Sequence, residues 1–242
     1  MENNNGTPDP KEPELDQESE ESEESLDQKD DGLFMAEDDN RILIINNIEP
    51  PRDEKFSFRV INLYGDVTEH TSADVVSALM YFKETGKKQV YVDPEDPESE
   101  IVTVHDPIEM IVSTHGGHAA DMFSIYDTMR MVRQEYDIST VGLGKVMSAG
   151  VLLLAAGTKG KRKIGRNCRV MIHSVMGGYH GSLPHMENEI AEVRWIQSQY
   201  VKNLAQETNM DEKKIKSLLK KKVDVYLSAE EAVDLGLADE II

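Results

Sequence analysis

Apolar and polar positions form two kinds of pattern along the chain, one of which predicts strands and the other helices. Short runs rich in β-branched residues, bounded by Gly, Pro, Asp or Asn, predict strands. Stretches in which apolar residues recur every three or four positions predict helices. The predicted strands are residues 42–45, 59–64, 89–92, 101–104, 108–112, 138–141, 162–165 and 169–172. Strands that alternate with helices favour an α/β fold with a mostly parallel sheet.

The predicted helices differ in how much of their surface is apolar. Residues 149–156 are almost wholly apolar, so this short helix is predicted to lie buried at the centre of the fold. The longest helix, residues 186–207, carries an apolar stripe that Trp195 and Ile196 widen and that is marked by Met186, Ile190, Val193, Tyr200 and Leu204. The other helices are predicted to begin at Thr71 or Ser72, after Gly117, near residue 213 and at the capping box of residues 228–231.

Two local breaks refine this pattern. Gly65 is predicted to end the strand of residues 59–64. The β-branched runs 89–92 and 101–104 enclose a stretch rich in Pro, Asp and Glu, which predicts a hairpin within residues 86–106.

The acidic character of the chain is concentrated in its first 40 residues. The whole chain has 242 residues and a net charge of −20. Residues 1–40 hold 16 Asp and Glu but only 2 Lys and Arg, a net of −14, so residues 41–242 carry −6. This segment is predicted to be a disordered tail, because it has little apolar surface to bury. A solubilising tail, a removable pro-segment and a docking arm for a basic partner all fit it.

Composition also excludes several classes of protein. The acidic balance argues against general nucleic-acid affinity, and no apolar run approaches the roughly 20 residues that span a bilayer. Cys168 is the only cysteine, so no disulfide forms within the chain, which fits a cytoplasmic protein. His115 and His118 with Asp121 could be interpreted as a metal site, but the spacing of a helical His pair is missing, and we predict no metal.

The first candidate for chemistry is Ser148, which separates a predicted strand from the apolar helix. At a helix N-terminus, free amides and the helix dipole favour negative charge, so the amide of Ala149 could donate to an oxyanion. The alternative is an ordinary N-cap serine, which is common.

Three further features could complete a hydrolytic site. Gly116 and Gly117 separate a buried strand from a helix, and the amide of Gly117 could supply a second oxyanion donor. His173 ends a predicted strand, and Asp224 precedes another apolar run. A serine needs a base, and the base needs an acid that holds its tautomer, so Ser148, His173 and Asp224 form a candidate triad. Each of these three features also has a structural alternative: Gly116 and Gly117 could form only a tight turn, His173 could be a structural histidine, and Asp224 could be a surface carboxylate.

Taken together, these segments resemble the Clp protease proteolytic subunit family (ClpP), from about residue 59 to residue 242. The matching segments are residues 59–65, 113–117, 124–129, 155–162, 169–173, 177–181 and 227–232. The resemblance implies a ClpP/crotonase-like βαβ spiral with a protruding handle, formed by a strand and a long helix over residues 174–207. On this basis, residues 41–242 form one serine protease domain.

The resemblance also implies roles for individual residues and for partners. Ser148 would be the nucleophile, His173 the base and Asp224 the residue that orients it, with the amides of Gly117 and Ala149 as the oxyanion hole. The strand of the handle, with Gly177, Gly178 and Tyr179, would pair with unfolded peptide substrates. The family encloses its sites in two stacked heptameric rings, is fed by an ATP-driven AAA+ unfoldase, and needs no cofactor. The wide apolar face of the long helix independently favours a homo-oligomer.

The sequence departs from the family pattern in three places, none of which touches the candidate triad; the last two bear on docking of the unfoldase. His115 replaces a proline, residues 86–106 are predicted to be an insertion, and an acidic tail stands where axial-pore loops are usual. The alternatives are a catalytically inactive structural ring subunit, an acyl-CoA enzyme of the crotonase type, and a ClpP-like virus-head maturation protease that acts on scaffold proteins.

Overall fold

A mostly parallel sheet forms the centre of the protein. The computed structural model describes residues 58–96, 98–220 and 223–242, so the predicted tail of residues 1–40 and the predicted strand 42–45 lie outside the described residues. The strands are β1 Val60–Val67, β2 Lys87–Tyr91, β3 Ile101–His105, β4 Ile108–Gly117, β5 Ile138–Met147, β6 Arg162–Ile164, β7 Arg169–Ile172, β8 Val225–Leu227 and β9 Glu240–Ile241. The helices are α1 Glu69–Thr85, α2 Ala119–Val132, α3 Ala149–Ala155, α4 Leu183–Glu207, α5 Glu212–Leu219 and α6 Ala229–Asp234.

The sheet divides at β5, and this division positions the site. Strands β1, β4, β5, β6 and β9 follow one another as parallel neighbours. The first half of β5 pairs with β6 at residues 140–142, whereas its second half pairs with β7 at residues 145–147. Strand β8 then pairs with β7 in the antiparallel direction. The predicted α/β fold with a mostly parallel sheet is confirmed, and β5 and β7 end side by side.

Helix α3 is the centre of the core, as its apolar sequence predicts. All seven of its residues are buried, and it packs against β4, β5, α2 and α4. The predicted inner faces of α1 and α2 are also confirmed, since Val75, Leu79 and Phe82 of α1 are buried beside Met122 and Met129 of α2. Ser148, the candidate nucleophile, therefore immediately precedes a helix that is buried in the core.

The structure corrects two local predictions in the first strand and helix. Gly65 does not end β1, because the strand continues to Val67 through a register shift between Tyr64 and Asp66 at which Gly65 has φ 81°. Helix α1 begins earlier than predicted, because Thr68 rather than Thr71 or Ser72 is its N-cap. Thr68 and Thr71 form a reciprocal capping box.

Residues 87–91 and 101–105 form the predicted hairpin as a separate two-stranded antiparallel sheet. Its side chains are mostly exposed on both faces. Contacts at its base connect it to the body: the Asp106 amide donates to the Gly86 carbonyl, and the His105 ring packs edge-on against Tyr136. That this hairpin is an insertion relative to the family stays a prediction.

The predicted handle is only partly regular. The strand predicted around residues 177–181 is wrong for this chain, because residues 173–182 have no helix or strand. A strand needs a neighbouring strand to satisfy its amides, and none of the described residues supplies one here. The long helix is present as α4, and its apolar stripe is exposed towards its N-terminus, where Trp195 is 54% exposed. No helix in the described ranges is both long and apolar enough to span a bilayer.

A partly buried ion pair ties the last strand to the core. The guanidinium of Arg162, 4% exposed, makes two hydrogen bonds of 2.9 and 2.6 Å to Asp239, whose side chain is 24% exposed. Asp239 also accepts from the amides of Gly160 and Arg162. The hydrogen bonds from the Arg162 side chain hold the pKa of Asp239 below its usual value, and they outweigh the opposing effect of partial burial.

Asp239→Asn is expected to lower the free energy of unfolding by about 2–4 kcal/mol at pH 7, because it leaves the buried Arg162 without a counter-charge. Because the pKa of Asp239 is lower in the folded than in the unfolded protein, its carboxylate stabilises the fold fully above the unfolded pKa of about 3.9. This contribution is lost as the pH falls through the folded pKa. The difference between wild type and variant should therefore shrink below about pH 4. Urea titrations at pH 7 and pH 3 measure it. Asp137→Asn, at an exposed pair with Lys161, should cost less than about 1 kcal/mol.

Candidate active site

Ser148 sits in a strained turn between β5 and α3. With φ 52° and ψ −117°, it is the only residue other than glycine with positive φ in the described ranges. Such a conformation costs about 1–3 kcal/mol and is maintained only where surrounding structure enforces it. Its side chain makes no capping hydrogen bond to α3, so the interpretation of Ser148 as an ordinary N-cap is wrong. A sharp strand-to-helix turn of this kind presents a serine hydroxyl to a substrate.

Hydrogen bonds to three elements hold the backbone of this turn. The amide of Ser148 donates to the carbonyl of Met171 on β7 at 2.8 Å. The carbonyl of Ser148 accepts from the amide of Val151 at 3.0 Å and from the hydroxyl of Tyr200 on α4 at 3.3 Å. The strain at Ser148 is therefore balanced by β7, α3 and α4 together.

His173 follows the last residue of β7 and reaches the serine. Its Nε2 lies 2.8 Å from the Oγ of Ser148. That distance suits a hydrogen bond in which a neutral imidazole accepts the hydroxyl proton. The structure thus brings together two residues that are 25 positions apart, and it does so because β5 and β7 are neighbouring strands.

Asp224 is adjacent to this pair in backbone register but does not bond to it. Its side chain is exposed, and it makes no hydrogen bond to His173. In the β7–β8 ladder Ile172 faces Val225, so His173 and Asp224 are the next facing positions. Facing residues of antiparallel strands point to one side of the sheet, with Cβ atoms about 4.5–5.5 Å apart. The orienting role of Asp224 therefore stays a prediction that this register favours.

The two predicted oxyanion donors flank Ser148. Ala149 is the first residue of α3, where an amide has no partner within the helix, and its amide meets no acceptor among the described residues. The chain of β4 passes the serine so closely that a Cβ on Gly116 would lie 2.5 Å from the Ser148 Cβ. Gly116 itself donates to Thr114 Oγ1 at 2.9 Å, which leaves the amide of Gly117 as the candidate on this strand.

Gly116→Ala is expected to displace Ser148, because Gly116 has φ 99° and no space for a Cβ. Misplacing a reacting group by about 1 Å costs roughly 10²-fold in rate. Labelling of Ser148 by a serine-reactive probe, followed over time, measures this loss. Gly160→Ala is the matched control, since Gly160 has φ 84° but nothing within 4 Å. Equal labelling rates in the two variants would contradict the prediction.

The predicted substrate-binding residues lie beside α4 rather than against the serine. Gly177, Gly178 and Tyr179 line a cavity of about 490 Å³ together with residues of the first half of α4. Neither Ser148 nor His173 is among its lining residues. Peptide binding by residues 177–179 therefore stays a prediction.

The other reactive side chains do not converge. His118 pairs with Asp121 at 3.3 Å, whereas His115 faces Asp66 at 4.0 Å. Within the described ranges, no group of three or more His, Cys, Asp or Glu could hold a metal. Cys168 is buried, and burial raises the pKa of its thiol to about 11, so it stays protonated at neutral pH.

Sequence reasoning missed two residues of this site. Gly116 was predicted only as part of a turn, although it is the glycine in contact with Ser148. Tyr200 was predicted only as a core residue of the long helix. In the sequence, Tyr200 is a single hydroxyl-bearing residue within an apolar stripe, and this does not indicate which atom its hydroxyl bonds to.

Comparisons with known proteins agree with one another. The sequence profile described as Clp protease matches residues 99–242, a range that contains Ser148, His173 and Asp224. ATP-dependent Clp protease proteolytic subunit 1 of Prochlorococcus marinus (strain MIT 9312) is 33% identical over 184 residues, which cover 76% of this chain and 84% of that protein. The protein of the same name from Prochlorococcus marinus subsp. pastoris (strain CCMP1986 / NIES-2087 / MED4) is also 33% identical over 184 residues, 76% of this chain and 83% of the relative.

Proposed function

Because the chain belongs to the Clp protease family, we propose that it is the proteolytic subunit of an ATP-dependent serine endopeptidase. The observation that carries this proposal is the 2.8 Å contact between His173 Nε2 and Ser148 Oγ at a strained turn before α3. A base in contact with a hydroxyl supplies the deprotonation that an unassisted serine lacks at neutral pH.

The proposed reaction proceeds through an acyl-enzyme. Ser148 Oγ attacks the carbonyl carbon of the scissile peptide bond while its proton moves to His173 Nε2. The amides of Gly117 and Ala149 donate to the oxyanion of the tetrahedral intermediate. The C–N bond then breaks as His173 gives the proton to the leaving amine. Water then attacks the acyl-enzyme carbonyl while His173 Nε2 takes its proton. The bond to Ser148 Oγ breaks as His173 returns that proton to the serine oxygen, and the acid is released.

Asp224 is proposed to hold His173 in its catalytic tautomer. Its position facing His173 in the β7–β8 register supports this role. A carboxylate that accepts from Nδ1–H keeps Nε2 free to take the serine proton, and it stabilises the imidazolium that forms.

Assembly and substrate delivery are proposed from the family and from the exposed part of α4. Large apolar side chains on this helix, among them Ile190 and Trp195, are exposed in the single chain. A second subunit that packs against them would bury this surface. We propose two stacked heptameric rings that enclose the sites, served by an AAA+ unfoldase. Residues 177–179 would pair with extended peptides through backbone hydrogen bonds, which gives broad sequence specificity.

A fluorophosphonate probe tests the proposed function. The purified, assembled protein should be labelled on one residue, Ser148, as located by mass spectrometry, and should cleave a fluorogenic peptide. Assembled protein that neither reacts nor cleaves would identify an inactive structural subunit instead. Turnover of an acyl-CoA without labelling would identify a crotonase-type enzyme. Mass spectrometry of the N-terminus of mature particles would identify a head-maturation protease that loses its tail.

A further inference from the structure

Tyr200 contacts the backbone of the turn that holds Ser148. It projects from α4, is 5% exposed, and its hydroxyl donates to the backbone carbonyl of Ser148 at 3.3 Å. This is the only hydrogen bond of that hydroxyl among the described residues. Buried hydroxyls are costly to leave unpaired, so the bond fixes the carbonyl and the ring relative to each other.

The carbonyl that Tyr200 contacts belongs to the same peptide group as the amide of Ala149. A peptide group is planar, so whatever fixes the direction of the Ser148 carbonyl fixes the direction of the Ala149 N–H. In this turn the plane is set by the unusual ψ of −117° at Ser148. A donor on the carbonyl also polarises the peptide group and strengthens its N–H as a donor.

The position of Tyr200 is itself held by the C-terminal part of α4. Two turns further along this helix, Glu207 accepts hydrogen bonds from Arg133 at 2.7 and 3.0 Å and from the Tyr126 hydroxyl at 3.0 Å. These bonds tie the C-terminal end of α4 to Tyr126 of α2 and to Arg133 just after that helix. Burial also raises the pKa of Tyr200, so its hydroxyl remains protonated and acts as a donor at neutral pH.

We propose that Tyr200 is a positioning residue for the oxyanion hole: its hydroxyl orients and polarises the Ser148–Ala149 peptide group so that the Ala149 amide points at the developing oxyanion. This inference rests on the proposed function, and it adds a link between α4 and the reacting atoms. Tyr200 does not contact the substrate and acts only through the peptide group.

The expected effect is specific to the transition state. Removing the hydroxyl leaves the amide of Val151 on the Ser148 carbonyl, so no buried acceptor is orphaned. The ring of Phe retains the packing of Tyr200. The loss is the positioning of one donor whose bond strengthens only as negative charge develops, so kcat should fall while KM stays constant.

Tyr200→Phe and Tyr136→Phe form a matched pair for the experiment. Both remove one hydroxyl from a buried tyrosine whose hydroxyl donates to a backbone carbonyl, but the acceptor for Tyr136 is the carbonyl of Lys83 on α1 rather than that of Ser148. The measurements are kcat and KM for a fluorogenic peptide, their pH profiles, and the affinity for a peptide boronate, whose anionic boron mimics the tetrahedral intermediate.

In Tyr200→Phe, kcat and boronate affinity should both fall by about three- to tenfold, the value of one hydrogen bond, with KM and the pH profile unchanged. Tyr136→Phe should leave all of these unchanged, because the Tyr136 hydroxyl bonds to neither α4 nor the turn. Identical kinetics in the two variants, with an active wild type, would overturn the inference alone. A rise in KM without a fall in kcat, or a shifted pH profile, would also overturn it.

A second substitution keeps the test decisive if Tyr200→Phe fails to assemble. Incorporation of 3-fluorotyrosine at position 200 retains the hydroxyl and makes it a stronger donor, so boronate affinity should equal or exceed that of the wild type. Weaker binding in an assembled protein would contradict the proposed role. A wild type that reacts with neither boronate nor fluorophosphonate would overturn the proposed function, and this inference with it.

Discussion

Ser148→Ala is expected to reduce peptide hydrolysis by at least about 10⁴-fold while leaving the fold and the assembly intact. The substitution removes the oxygen that attacks the peptide carbonyl, and the remaining rate comes from substrate binding and the oxyanion donors. Alanine changes neither the backbone contacts of this turn nor the packing of α3, because the Ser148 side chain makes no capping bond. Peptidase assays and sedimentation velocity on the same sample separate activity from assembly.

Ser139→Ala is the control for this prediction. Ser139 lies on β5, the same strand that leads to Ser148, and its hydroxyl donates to the Lys161 carbonyl far from His173. This variant should keep wild-type activity and should still be labelled on Ser148. An assembled Ser148→Ala protein with wild-type activity would exclude Ser148 as the nucleophile.

Asp224→Asn is expected to lower kcat by about 10⁴-fold in the assembled protein. Asparagine can offer its amide group to His173, which stabilises the tautomer with the proton on Nε2, so that Nε2 can no longer accept the serine proton. Labelling of Ser148 by fluorophosphonate should slow in parallel, because it needs the same base. Stopped assays with a fluorogenic peptide and timed labelling provide the two rates.

This is a demanding test, because Asp224 and His173 lie one position beyond the last paired residues of β7 and β8, and no hydrogen bond joins their side chains. Asp234→Asn, on the exposed surface of α6, removes the same charge and should leave both rates unchanged. Wild-type rates in assembled Asp224→Asn would mean that another group orients the imidazole.

The sequence could predict those parts of the structure that are determined by a few neighbouring residues. Ser148 and His173 each end a strand-like run, and parallel strands present their carboxyl ends at one edge, so their approach could be expected. Helix α3 was predictable because seven consecutive apolar residues have no polar face to expose. The Ser228 capping box of α6 was also predictable, and both of its hydrogen bonds are present.

The parts that sequence could not predict depend on contacts across long separations. The bond between Tyr200 and Ser148 joins positions 52 residues apart, and an apolar stripe does not specify which atom a hydroxyl meets. The predicted end of β5 at Val141 was too early, because Gly142 and Gly144 are tolerated where the strand changes partner from β6 to β7. The strand at 177–181, which the resemblance implied, is absent because none of the described residues provides a neighbouring strand for it.

The hairpin of β2 and β3 has a practical consequence for work on this protein. Its acidic tip, over residues 93–96 and 98–100, is mostly exposed, and the bond from the Val92 amide to the Glu100 carbonyl closes its base. Exposed tips of this kind tolerate inserted sequence because no buried backbone is disturbed. An epitope or a fluorescent dye placed there would report on the molecule while both chain ends stay native.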